Sequence, residues 1–398
     1  PGWSLLAATL LLFQETFYVQ SSFVLPEVVL TLLLIESIRN YVLKRKWRFL
    51  FFTGLLCLTK ETGVVISAAI ILYHVLSTRS VKRDAWWVYL SIWPALVFYT
   101  WQKISLGWFF YPLHVDLANI SADTLWSKFG IILKHLFIDQ GRRSMLVGAG
   151  ILIILKSFMD HRDKYLIHLI FLFGSMVLLL IAGNTISILL FLCALITFTW
   201  NAFNYTGFEK QFIRLSFVIL LLFFGFTLVN FLMIRYLLPS YPVFILLLLI
   251  VLHKLFETKP SFSFVLPVFL VINFAFSMIY NYRHKLWHDD ASINYTNAVR
   301  VHQNAIVYCE QKDWFERRIY THFLMQQNLT NPDIGYLSEK RFANVAYEGE
   351  IQESDEILIF SCIELDEGKY ENVKKNPNYQ LMERFQSGNA WSEVYSIK

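Results

Sequence analysis

The residues of this chain best equipped for chemistry lie in three short segments with apolar surroundings. Lys60 and Glu61 stand in GLLCLTKETGVV, inside an apolar run from Phe49 to Leu76. An ionisable pair in such a setting is costly to desolvate and marks a functional site by default. Glu27 follows Pro26 in LPEVVL. Proline suits a first helical turn and a carboxylate there is favoured by the helix dipole, so one reading is a helix start. The other is a carboxylate that could hold a divalent cation, magnesium or manganese, or a phosphate-bearing ligand through one. Arg235 and Tyr236 lie in IRYLLPSYP. That arginine either snorkels at a helix boundary or aims a bidentate guanidinium at a phosphate or pyrophosphate. Three more residues are candidates for substrate binding: Gln20 in the link QETFYVQSS, Arg142 beside Arg143, and His114 in GWFFYPLHVDL. His114 is either a surface histidine or a sugar contact.

The elements that must position these residues follow from the apolar runs. Phe49 to Leu76 is too long for one bilayer crossing and too short for two. Lys44, Arg45, Lys46 and Arg48 precede it, and Arg79, Lys82 and Arg83 follow it, which places both ends on the cytoplasmic side. The expectation is two short helices turning at Thr59 to Gly63, with the turn as one wall of an outward-facing cavity. Further runs include Phe23–Leu43, Ala85–Lys103, Leu166–Gly183, Ile186–Phe203, Phe212–Met233 and Phe262–Tyr280. Together they predict a polytopic α-helical membrane protein with about 10–11 membrane helices, including the short hairpin, over residues 1–282. Residues 104–143 are expected to form an outer loop whose helix, Thr124 to Ile138, lies along the interface. The opening run Gly2 to Phe13 is too short to span and is expected to be the end of a helix that begins upstream.

Composition supports that class. Of 398 residues, 56% are hydrophobic and only 16% charged, against roughly a quarter in soluble domains. The net charge of +5 sits mostly in loops, so it sets topology, and no nucleic-acid partner is expected. Charges and amides become frequent from Asn281, and residues 283–398 are expected to form a small extracytoplasmic α/β domain. Its predicted elements are a helix at Ala291–Gln311 and strands at Arg318–Phe323, Glu356–Cys362, Tyr379–Phe385 and Trp391–Ile397, the last two joined by the turn SGNA. No nucleophile triad, phosphate loop or metal spacing stands out there, and its expected role is to cap the cavity or bind an acceptor. Cys57, Cys193, Cys309 and Cys362 show no metal spacing, and a Cys309–Cys362 disulfide stays open if the tail is exported.

LPEVVL, GLLCLTKETG and RYLLPSYP, in that order, resemble the multispanning glycosyltransferases of the C superfamily that use polyprenyl-phosphate sugars, the family of the protein O-mannosyltransferases and of the aminoarabinose transferase that modifies lipid A. The resemblance covers Gln14 to about Leu248. It implies sugar transfer from a lipid-phosphate donor, among membrane lipids, to a glycan, lipid or protein acceptor at the outer face of a bacterial inner membrane. It matches Glu27 to an acidic position that holds a metal or the donor phosphate, Lys60 to the lysine beside that phosphate, and Arg235 to a phosphate or sugar contact. The family's first outer loop, with its acidic base, would precede Gly2, so the chain is expected to be truncated relative to the family. Glu61 stands where many relatives have glycine, and Lys60 could pair with it or with another acid. Two other classes remain open. A transporter or flippase of a lipid-linked or anionic substrate would also place charges on a broken helix, and a non-catalytic relative would serve envelope assembly.

Overall fold

The computed structural model describes residues 2–22, 26–78, 85–109, 121–159, 166–230, 232–256, 265–284, 291–338, 340–347, 349–352, 354–363 and 365–397. The chain divides into two compact units, Pro1–Met278 and Ile279–Lys398.

Unit 1 is helical. Its first seven helices are α1 (Gly2–Leu12), α2 (Glu15–Ser22), α3 (Pro26–Val42), α4 (Lys46–Thr59), α5 (Glu61–Thr78), α6 (Trp86–Leu90) and α7 (Trp93–Leu106). They are followed by α8 (Ala122–Phe137), α9 (Arg142–Met159), α10 (Leu166–Ile181), α11 (Thr185–Ala202), α12 (Gly207–Val229), a 3-10 turn at Ile234–Leu237, α13 (Ser240–Phe256) and α14 (Val265–His284), which runs across the unit boundary. The core is aliphatic and aromatic: Leu30 and Leu34 of α3, Phe49 and Leu56 of α4, Ile66 and Ile70 of α5, and Ile219 and Phe223 of α12 are buried together. Each such side chain removed from water contributes roughly 1.5–3 kcal/mol. α3 packs on α4, α4 on α5, and α5 on α12.

The structure corrects the expected fold class. Among the described residues, one helix, α12, is long and apolar enough to cross a bilayer, and a second crossing results only if the bent pair α2 and α3 is taken as one. The reason is where the backbone breaks. Lys60 is extended, at φ −164° and ψ 157°, and splits the run Phe49 to Leu76 into α4 and α5. Pro94 lies in the first turn of α7; without an N–H it cannot continue the ladder of α6, so Ala85 to Lys103 is two helices rather than one span. α10 has 16 residues, a rise of about 24 Å against a hydrocarbon core of about 30 Å. The link Gln14 to Ser22 is itself mostly helix α2. Unit 1 nevertheless exposes many apolar side chains, with Ile104, Ile167 and Ile181 about 80% exposed.

Unit 2 is α/β. Helix α15 (Tyr295–Gln311) precedes β1 (Arg318–Tyr320), α16 (Phe323–Thr330), β2 (Asn344–Ala346), β3 (Ile357–Ser361), α17 (Glu367–Lys375), β4 (Tyr379–Ser387) and β5 (Ala390–Ile397). The sheet order is β2-β1-β3-β5-β4. β1 runs parallel to β2 and to β3, and β5 runs antiparallel to β3 and to β4. β3 is buried throughout, as a strand covered on both faces must be. In the β4–β5 hairpin Ser387 faces Ala390 across a two-residue turn, and Gly388 takes φ +57° there, a conformation that glycine adopts at least cost. All four cysteines carry free thiols. Cys309, on α15, is buried in the core, where burial pushes its thiol up to about 12, and the Cys362 sulfur accepts the Trp391 amide at 3.5 Å.

Candidate functional site

Three segments far apart in sequence meet at the Glu27 carboxylate. Pro26 opens α3 and puts Glu27 in its first turn, where the helix N-terminus favours negative charge. The side chain is only 3% exposed. Its Oε1 accepts from Lys60 Nζ at 2.6 Å and lies 3.8 Å from Arg235 Nε. Its Oε2 is buried without a hydrogen-bond partner among the described residues. Lys60 Nζ also sits 3.6 Å from the centre of the Tyr236 ring, with the Arg235 guanidinium carbon 5.4 Å from the same ring. The aromatic face attracts both cations. Within this group two cations stand against one carboxylate.

Local sequence explains why Lys60 arrives there. The helix break leaves Lys60 between two helix ends, and the Gly63 amide closes back on the Lys60 carbonyl at 2.8 Å. A Cβ on Gly63 would lie 1.9 Å from the Leu56 carbonyl oxygen, so α5 approaches α4 this closely only with glycine at that position. Glu61 begins α5, and the partner of Lys60 is Glu27 rather than its neighbour. Arg235 and Tyr236 are carried by the 3-10 turn between α12 and α13.

The other expected site residues lie elsewhere. Arg142 is buried; it donates to Gln14 Oε1 at 2.7 Å, to Gln140 Oε1 at 3.0 Å and to the His135 carbonyl, and it lies 4.6 Å from the Tyr241 ring centre. That network ties the link between α1 and α2 to α8, α9 and α13 and includes none of the Glu27 group. Gln20 is fully buried in α2. His114 lies outside the described residues.

A divalent cation suits this site poorly. The only carboxylate of the group already faces an ammonium and a guanidinium, whereas hard cations want several oxygen donors. Among the described residues no group of three or more His, Cys, Asp or Glu could hold a metal.

Unit 2 contains a polar cluster that local motifs do not reveal. Ser361 Oγ lies 3.0 Å from His302 Nε2 and 2.9 Å from His322 Nε2. The Met325 amide donates to His322 Nδ1 at 3.5 Å, so the His322 proton sits on Nε2 and points at the serine. Burial, helped by the neighbouring His322, lowers the His302 imidazole to about 3, which keeps it neutral at physiological pH. The only sequence signal was the capping position of His322 ahead of α16.

No family model, curated protein or solved structure matches the chain. The functional reading therefore stands on the geometry and on the three motifs.

Proposed function

We propose that the chain is a glycosyltransferase that moves a sugar from a polyprenyl-phosphate donor to a glycan, lipid or protein acceptor, with Glu27, Lys60, Arg235 and Tyr236 at the donor phosphate. The observation that carries this reading is the meeting of three distant motif segments at one buried carboxylate. Breaking the bond from the anomeric carbon to the phosphate oxygen places negative charge on the leaving group. A lysine and an arginine held in a water-poor pocket stabilise that charge more than they would in water. Glu27 positions Lys60 before the donor arrives, and the Tyr236 ring holds the ammonium without neutralising it. The guanidinium of Arg235 offers paired donors to phosphate oxygens. The donor's isoprenoid chain puts the reaction at a bilayer, and the exposed apolar side chains of unit 1 support that location.

The test is turnover by the full chain in lipid vesicles that contain a polyprenyl-phosphate sugar, followed by release of polyprenyl phosphate. Lys60→Ala and Glu27→Gln should each lower turnover by about 10²–10³-fold. Wild-type turnover in both variants would reject the site. Donor moved between leaflets with its sugar intact would favour the transporter class instead.

A further inference from the structure

We propose that unit 2 carries its own binding pocket for a single sugar ring, at the carboxyl ends of β1 and β3. The topology selects this place. β1 and β3 are parallel neighbours, yet the chain leaves them in opposite directions: β1 leads through α16 to β2 on one flank, and β3 leads through α17 to the β4–β5 hairpin on the other. A parallel sheet opens a crevice at such a divergence, and ligands of α/β folds bind there.

A cavity of about 220 Å³ fills the crevice, smaller than the roughly 300–1,000 Å³ of pockets for drug-sized molecules. Its chemistry fits a polyhydroxyl ring better than an anion. Phe323 and Tyr347 line it as an edge-to-face pair with centres 5.4 Å apart, and the negative face of such rings attracts the C–H face of a pyranose. Opposite in type are Asp366 and Lys369. Asp366 Oδ1 caps α17 by accepting the Lys369 amide at 3.1 Å, and Oδ2 is 3.7 Å from Lys369 Nζ. The Lys369 ammonium is fixed by Tyr320 Oη at 2.8 Å and the Gly349 carbonyl at 2.6 Å. The charges at the mouth thus nearly cancel, and a carboxylate offers acceptors that sugar hydroxyls satisfy. Ser361 and His322, which also line the cavity, are already hydrogen-bonded to each other.

The inference goes beyond the donor site and is independent of it. It is tested by hydrogen–deuterium exchange of the full chain with millimolar mannose, galactose or N-acetylglucosamine, and with inorganic phosphate as the anionic probe. The expected result is protection of peptides covering 320–325 and 361–369 by at least one sugar and none by phosphate. Asp366→Asn keeps a capping oxygen, and that variant and Phe323→Ala should each weaken the sugar effect at least tenfold while exchange in β3 and β5 stays unchanged. Protection by phosphate instead, no protection by any of the sugars, or equal protection in both variants would overturn the proposal. Donor turnover is measured separately, so losing either reading leaves the other standing.

Discussion

Unit 1 and unit 2 each bury a glutamate almost completely, and they treat it differently. Glu393, on β5, is 2% exposed. Its Oε1 accepts from Arg384 at 2.8 Å, and its Oε2 accepts from the hydroxyls of Tyr370 at 3.0 Å and Tyr395 at 2.6 Å. Every oxygen there is satisfied, and the carboxylate acts as a structural clamp between β4, β5 and α17. Glu27 has one oxygen crowded by cations and the other without a hydrogen bond among the described residues. A buried polar atom left unsatisfied costs about 1–3 kcal/mol. Among these two buried glutamates, Glu393 has a completed shell and Glu27 does not.

That contrast can be broken by substitution. The largest effect on stability is expected for Lys60→Ala, which leaves Glu27 buried with Arg235 alone nearby; thermal or denaturant unfolding should show a loss of about 3 kcal/mol. Adding Glu27→Gln should recover most of the stability and none of the turnover, and a double-mutant cycle reads that coupling. If the double variant regains turnover, the pair is scaffold like Glu393. Next comes Glu393→Ala, which strands two tyrosine hydroxyls and should destabilise unit 2 by about 2–3 kcal/mol without changing donor turnover. Gly63→Ala should cost about 1–3 kcal/mol by overpacking against the Leu56 carbonyl. Because it displaces Lys60, it should also lower turnover, whereas Gly174→Ala, in open space, should change neither.

The smallest effect concerns the neutral cluster of unit 2. The folded His302 titrates near 3 against an ordinary value of 6.5, so between these values the unfolded chain binds a proton that the folded chain refuses. Its contribution to stability is complete above pH ~6.5 and falls as pH drops below it, by about 1 kcal/mol from pH ~6 to ~5. Amide exchange in β1 and β3 across that range should show the slope in the wild type and a flatter one in His302→Gln. Equal slopes would mean that His302 is not the group that titrates.

Each member of the Glu27 group could be read from sequence, because each carries a local signal. Lys60 is conspicuous as a charge in an apolar run, Glu27 follows a helix-opening proline, and Arg235 sits in a proline-bounded segment. Their convergence could not be read, since it depends on how α3, α5 and α12 pack. The fold class departs from what the apolar runs imply for a related reason. An apolar run is visible in composition, whereas the single extended residue at Lys60 and the restart at Pro94 are backbone events that hydropathy averages away. In unit 2 the longer strands β3, β4 and β5 follow the expected segments closely. The three-residue β2 and the helices α16 and α17 carry too few residues for a periodic pattern and are held by the sheet around them. His302, His322 and Ser361 come from three different elements, so no motif joins them.

The spacing of the Glu27 group along the chain also has a consequence for synthesis. Glu27 and Lys60 are made early and belong to adjoining helices, so their ion pair can close while translation continues. Arg235 and Tyr236 are the last of the group to leave the ribosome, and they join only after α8 to α12 have been laid down. Nascent chains stopped before the 3-10 turn should therefore hold a formed Glu27–Lys60 bond without the Arg235 and Tyr236 side of the group. Completion of the Glu27 group then arrives as a late event of biogenesis, after most of the helical framework of unit 1 exists.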